Sequence, residues 1–329
     1  MINEILAYIK PKRKILLVTH NNPDPDSIAS AYALLNLFRN SLRKRCTIAY
    51  RGIIGRSENK ELLQSCKIEM YNSSRLNFSR YDCLILVDTQ PTAGNVYFPD
   101  GYFPSIVIDH HNSRAQSKNT CIYDIRPESG STSSIISEYY RELDVDININ
   151  VATALYYGIK TDTMGAGRSN TKNDLAIMSY LLPHISLKKL SKIENPELPR
   201  YYFKNMYKAL GNIKIIEDVI FCDLGEVRNA DLVAETSDFF LKMRDMKWTF
   251  ITGAVDNICY FSLRCKSTKR KVSYIALSIV RGLGSGGGHM KSAGGQISLD
   301  DKKYSDVVEV LKNRLIHKIG VVNPEEKEL

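Results

Sequence analysis

The sequence predicts an α/β fold in two parts: a mostly parallel sheet covered by helices, then a smaller α+β domain. Three observations predict it. Four short apolar runs alternate with helical patterns between about residues 15 and 162: ILLV at 15–18, LILV at 84–87, IVI at 106–108, and the YYGI that leads to Asp162. Runs so short and uniformly apolar fit strands buried on both faces. The pattern then breaks around 183–204, where three prolines and several lysines read as a connector. Beyond it, TFITGAVDNICYFSLRC alternates apolar and polar residues around Asp256-Asn257, as a hairpin does, and GLGSGGGHMKSAGG precedes another strand-like stretch.

Taken in order, the first run is followed by SIASAYALLNLF, whose apolar residues recur with a helical period, with Asp26 placed to cap it. A second helix is expected to begin near Ser131 in STSSIISEYY. The boundaries predicted are 1–185 for the first domain, 186–212 for a helical linker and 213–329 for the second domain.

Composition narrows the class. A chain of 329 residues, 43% hydrophobic and 25% charged, can bury two ordinary cores. No stretch approaches the roughly 18–20 apolar residues a membrane helix requires, and MINEILAYIKPKRK lacks the order of a secretory signal, so a cytoplasmic protein without a membrane partner is expected. Seven cysteines with no CxxC pair argue against a disulfide framework or a zinc ribbon, leaving them as small buried hydrophobes. The net charge of +9, with basic runs at Arg43-Lys44-Arg45 and Lys269-Arg270-Lys271, tilts the expectation toward an anionic substrate.

The acids and histidines fall where these strands end. The first run leads into His20-Asn21-Asn22-Pro23-Asp24-Pro25-Asp26, the second into Asp88, the third into Asp109-His110-His111 and the fourth into Asp162. An open α/β sheet builds its site just past the carboxyl ends of its strands. A lone aspartate there is usually a turn former or a helix cap. Here three of the six histidines share the edge with at least four aspartates. Carboxylates so crowded need cations to offset their repulsion. Oxygen-rich ligands with few imidazoles suit manganese or magnesium better than zinc. Two such ions, about 3.5–4 Å apart, are the arrangement used for displacement at phosphorus. His184 and His317 lie outside the pattern and are assigned to structure or surface.

These strings resemble the DHH phosphoesterase superfamily. HNNPDPDSIASAYAL is similar to its first motif, LVDT to its second, VIDHHN to its third and GIKTDT to its fourth, in order. FSLRCKS followed by GSGGGHMKSAGG resembles the DHH-associated C-terminal domain of RecJ-like nucleases, nanoRNase/pAp phosphatases and cyclic-dinucleotide phosphodiesterases. The resemblance implies two manganese ions, with magnesium as a substitute. His20, Asp24 and Asp88 would hold one, and Asp26, Asp88, His110 and Asp162 the other, with Asp88 bridging. Asp109 would orient His110, His111 would face the substrate phosphate, and the nucleophile would be a water or hydroxide between the ions. The resemblance assigns Arg264, Gly286, Gly287, Gly288 and His289 to substrate binding, with the active site in the cleft between the domains. Arg168 is a further candidate phosphate contact. Met164 stands where nanoRNase-like members have a glycine and then an aromatic, and the stretch before the glycines is longer than in the family pattern.

The expected function is therefore a metal-dependent phosphoesterase acting on short RNA or DNA oligonucleotides or on a nucleoside 3′,5′-bisphosphate, with a homodimer compatible with this reading. The alternatives are a cyclic or linear dinucleotide phosphodiesterase and, from a different class, a catalytically silent nucleotide-binding protein. Every candidate metal position is filled, which argues against the silent binder. A processive RecJ-type nuclease would need a further nucleic-acid-binding fold, and family pyrophosphatases have a different C-terminal domain.

Overall fold

The structure is a computed structural model and describes residues 1–112, 120–163, 172–267, 271–288, 290–322 and 324–329. It divides into two compact units, Met1–Pro196 and Glu197–Leu329.

The first unit begins with α1 (Ile2–Ile9), β1 (Lys14–Thr19), α2 (Pro25–Leu42), β2 (Arg45–Tyr50), α3 (Ser57–Cys66) and β3 (Tyr71–Asn72). It continues through β4 (Cys83–Val87), β5 (Ile106–Asp109), β6 (Ile122–Ile125), α4 (Thr132–Glu142), α5 (Ile149–Asp162), α6 (Lys172–Leu181) and α7 (Leu187–Glu194). Six strands form one sheet in the order β3-β2-β1-β4-β5-β6, and every neighbouring pair is parallel. Alternate residues of each strand feed two cores, as the two-residue period of a strand requires. Ile15, Leu17, Ile85, Val87, Ile106 and Ile108 join Ile28, Leu34, Phe38, Ile135 and Leu155 of the helices on one face. Leu16, Val18, Leu84, Leu86 and Val107 pack with Phe78 on the other, where Tyr81, Phe98 and Tyr102 complete the cover.

Two sequence expectations change here. The YYGI run before Asp162 is not a strand but the last part of α5. A four-residue apolar run is equally a buried helix segment, and Gly158 is small because a Cβ would lie 2.5 Å from Ser133 Oγ and 3.2 Å from Ala29 Cβ. Nor is Asp26 the cap of α2. Asp24 is the N-cap, accepting from the Ser27 amide at 3.0 Å, and Pro25 opens the helix. The start near Ser131 is as expected: Ser131 caps α4.

The second unit contains α8 (Arg200–Gly211), β7 (Ile213–Ile216), β8 (Val219–Glu226), α9 (Asp231–Phe240), β9 (Trp248–Val255) and β10 (Ile258–Cys265). It ends with α10 (Val272–Val280), β11 (Ser285–Gly288), β12 (Ser292–Ser298), α11 (Tyr304–Ile319) and β13 (Lys327–Glu328). Its seven-stranded mixed sheet runs β11-β12-β10-β9-β8-β7-β13. The β9–β10 hairpin turns at Asp256 and Asn257, with φ of 46° and 61°, the left-handed pair such two-residue turns need. Of the seven cysteines, all free, five are buried.

Candidate metal centre

The strand order of the first sheet reverses between β1 and β4, whose successors in sequence leave to opposite sides. At such a switch the loops past the strand ends part and open a crevice. His20 follows β1, and Asp88 follows β4. Asp109 ends the next strand, with His110 and His111 beyond it, while Asp162 arrives from the C-terminal end of α5 rather than from a strand.

Asp88 stands at the middle. It is 2% exposed, and His20 Nε2 lies 3.5 Å from its Oδ2 while His110 Nε2 lies 3.6 Å from its Oδ1. Its backbone is left-handed, φ 61°, a conformation that costs a non-glycine residue on the order of 1–2 kcal/mol. The fold imposes it through the Asp88 amide, which donates to Ile108 O at 2.9 Å. His20 Nε2 is also 3.6 Å from Asp24 Oδ1, and His110 Nε2 is 3.2 Å from Asp162 Oδ2.

These atoms form three overlapping triads, each with its donor atoms within 4.8 Å of one another: His20, Asp24 and Asp88; Asp26, His110 and Asp162; and Asp88, His110 and His111. Ligands at about 2.1 Å around an octahedral cation lie about 3 Å apart along each edge, close to the separations seen. Mixed carboxylates and imidazoles at such spacing fit manganese or magnesium. The first triad is the set expected for one ion; the second holds three of the four residues expected for the other, and the third joins Asp88 and His110 to His111.

Electrostatics tell the same story. Burial, then the charge of Asp24, pushes the Asp26 carboxyl up to about 6. Burial, then the charge of Asp26, does the same for Asp88, also about 6. His20, which burial alone would lower, is raised well above the ordinary imidazole range by Asp24 and Asp88. Protons here offset charge that a cation would otherwise neutralise, so cation binding releases them.

One expected contact belongs to a different residue. Asp109 does not reach the His110 ring; it accepts from His111 Nδ1 at 2.8 Å, and its two oxygens take the His110 amide at 2.9 Å and the Gln90 side chain at 2.7 Å. The His110 ring instead has Nδ1 3.3 Å from Ser129 O. The Asp109 oxygens are thus taken by His111 Nδ1, the His110 amide and Gln90, and the His110 ring finds its partner at the Ser129 carbonyl instead. Asp109 holds the His111 imidazolium: burial alone would lower it, but the Asp109 hydrogen bond and the charges of Asp88, Asp109 and Asp162 raise it to about 9.

Sequence reasoning did not single out Gln90, Ser129, Thr132 or Ser133. The Asp26 carboxylate accepts from the Thr132 and Ser133 amides, each at 2.7 Å, and the Thr132 hydroxyl donates to Asp88 Oδ1 at 2.8 Å. Only the position of STSS at a helix start hinted at them.

In the second unit, Arg264 of β10 donates from Nε to Asp238 Oδ1 at 2.6 Å and from one terminal nitrogen to Leu263 O and Ala293 O at 3.3 and 3.1 Å. Gly286, Gly287 and Gly288 are not a loop; they form strand β11, paired with β12. Close strand approach explains Gly288, where a Cβ, at φ 147°, would stand 2.3 Å from Ser292 O, whereas a Cβ on Gly287 would meet nothing within 4 Å. Arg168 and His289 lie outside the described residues, as does Met164.

Residues 14–159 match the model of the DHH family, N-terminal domain. An uncharacterized protein of Methanocaldococcus jannaschii is 33% identical over 96% of this chain, which spans 66% of that relative's length. A bifunctional oligoribonuclease and PAP phosphatase of Thermus thermophilus is 24% identical over 96% of this chain and 94% of its own. Among solved structures, an exopolyphosphatase-related protein from Bacteroides fragilis aligns over 96% of this chain and 95% of its own, with a TM-score of 0.77 at 20% identity, which shows a shared fold.

Proposed function

The chain belongs to the DHH family through its first unit, and on that premise we propose that it is a divalent-metal phosphoesterase hydrolysing short oligonucleotides or a nucleoside 3′,5′-bisphosphate. One observation carries the reading: His20, Asp24, Asp26, Asp88, His110 and Asp162 converge at the switch point of the parallel sheet in overlapping triads of metal-binding spacing. The Thermus thermophilus relative, similar along nearly its whole length, supports the nucleotide substrate class.

His20, Asp24 and Asp88 would hold one manganese ion; Asp26, Asp88, His110 and Asp162 would hold the second, with Asp88 shared. When bound, such ions neutralise phosphate charge and lower the pKa of water toward neutrality. The residues of the chain supply the rest. The His111 side chain is 37% exposed, with Nδ1 donating to Asp109, and its ring is the proposed contact to a phosphate oxygen or a leaving group. A proton held there at neutral pH by Asp109 is available for transfer. Arg264 and the Gly286–Gly288 strand of the second unit are the proposed grip on nucleotide.

The test is a product-resolved assay of the manganese-loaded protein against pAp, a linear dinucleotide, a five-mer RNA and a cyclic dinucleotide, with a metal-free control. Manganese-dependent turnover with kcat/KM highest for pAp or the short RNA supports the proposal. Preference for the cyclic substrate would transfer it to the dinucleotide reading, and nucleotide binding without turnover would refute catalysis.

A further inference from the structure

Three residues of the stretch 129–133, which leads into α4, touch three of the proposed ligands, which come from three different parts of the sheet edge. Ser129 O lies 3.3 Å from His110 Nδ1. The Thr132 and Ser133 amides donate to the two oxygens of Asp26, one each. The Thr132 hydroxyl donates to Oδ1 of Asp88, the carboxylate between His20 and His110. Thr132 and Ser133 are fully buried, so water does not compete for these bonds. The segment is itself pinned. The Gly130 amide donates to both oxygens of Asp174, each at 3.1 Å, and Asp174 is fully buried. A Cβ at Gly130 would stand 2.6 Å from Asp174 Oδ2, so the approach requires glycine.

We infer that Thr132 is a positioning residue for the cation centre, fixing the oxygens of Asp26 and Asp88 relative to each other before any ion arrives. The inference rests on the metal-centre reading above. Its backbone and its side chain each hold a different carboxylate, so a single residue sets the distance between ligands of the two proposed ions. The amides, at the positive end of α4, hold both oxygens of Asp26 in place, each at 2.7 Å. The hydroxyl stops the Asp88 carboxylate from turning about its own axis, which matters because its two oxygens face different histidines. Partners of this kind, once removed, typically cost 10- to 100-fold in metal affinity or activity.

The hydroxyl is the part mutagenesis can remove. Thr132→Val keeps the shape and both amides, whereas Thr132→Ser keeps the hydroxyl and loses only the methyl. Manganese binding to the full chain, measured by calorimetry on metal-free protein, should weaken about 10- to 100-fold in Thr132→Val. Thr132→Ser should restore most of it. Thermal unfolding of the metal-free variants separates positioning from packing: the increase in Tm on adding manganese should shrink in Thr132→Val and not in Thr132→Ser. Should the valine variant fail to fold, Thr132→Ala carries the same comparison. Native manganese affinity in Thr132→Val, or equal losses in the serine and valine variants, overturns the inference alone. A native chain that takes up no divalent cation overturns the metal centre and the inference with it.

Discussion

Replacing Asp109 by asparagine should change proton traffic at His111 while leaving metal binding intact. The fully buried Asp109 carboxylate holds His111 Nδ1 at 2.8 Å. Asparagine keeps the size but removes the charge, and a charge-assisted hydrogen bond contributes about 1.5–3 kcal/mol. At about 1.4 kcal/mol per unit, that is one to two units of imidazole pKa. The lower end applies because the His111 side chain is 37% exposed and partly screened by water. The sign follows from the direction of the shift. His111 is raised from 6.5 to about 9, so the protonated form is complete at neutral pH and is lost as pH rises through that value. Cations on Asp88 and Asp162 remove two of the charges that raise it, so in the loaded enzyme the limit lies between those values and depends chiefly on Asp109.

The assay is kcat/KM for bis(p-nitrophenyl) phosphate from pH 5.5 to 9.5 at saturating metal. In Asp109→Asn the alkaline limb should move about one unit lower, and kcat at pH 8 should fall by about 10²- to 10⁴-fold as the proton donor is mispositioned. Manganese affinity should stay near native. The opposite pattern, an unmoved limb with lost metal, would refute the argument and return Asp109 to the service of His110.

Four more outcomes are expected. Asp88→Asn, which tolerates the left-handed backbone at φ 61° better than alanine would, should lose more than about 100-fold in manganese affinity, exceeding the loss of an outer partner; metal analysis checks it. Manganese at 100 times its Kd should add about 2.7 kcal/mol, or roughly 4–7 °C in Tm. At one fixed manganese concentration the gain should be larger at pH 7.5 than at pH 5: the stability that protonated Asp26 and Asp88 give the metal-free fold is complete below 3.8 and lost as pH rises through about 6, and the cation replaces those protons. Arg264→Ala should lower stability by about 1.5–3 kcal/mol through its lost bond to Asp238, with lysine recovering only part, as urea unfolding would show; unchanged stability would deny the ion pair a structural role. Gly288→Ala should destabilise the second unit because its Cβ meets backbone, whereas Gly287→Ala has nothing within 4 Å and should be neutral for stability; a rise in KM confined to the Gly287 variant would mark a phosphate contact there.

The parallel sheet was legible because β1, β4 and β5 are apolar without interruption, and the ligand clusters because they sit next to those runs. β2, RCTIAY, was hidden by its own polar residues, and β6, IYDI, by Asp124, a buried aspartate whose charge is met by both Nε and a terminal nitrogen of Arg126 at 2.7 Å. α5 was misread because periodicity needs more than four residues. What no local pattern reveals is a partner a hundred residues away. Asp26 looked like a cap for its own helix, and it does satisfy a helix start, but that of α4, 106 residues on. The glycine run did not read as a strand, since close approach between strands and freedom in a turn select the same residue.

Two adjacent histidines show how a fold can separate functions that a motif runs together. The rings of His110 and His111 lie 4.4 Å apart, in one electrostatic environment, and sequence alone gives no reason for them to differ. Their second partners do. The His110 ring meets the neutral carbonyl of Ser129, which can fix a tautomer with Nε2 bare but adds no charge, the state a metal ligand needs. The His111 ring meets the Asp109 carboxylate, which stabilises the protonated ring, the state a proton donor needs. Exchanging those partners would leave every side chain of the motif in place and yet put a proton where a cation belongs. The division of labour therefore resides in the carbonyl at 129 and the carboxylate at 109: a substitution at Asp109 removes the charge that favours a proton on His111, whereas one at Ser129 leaves the backbone carbonyl, and so the His110 contact, available.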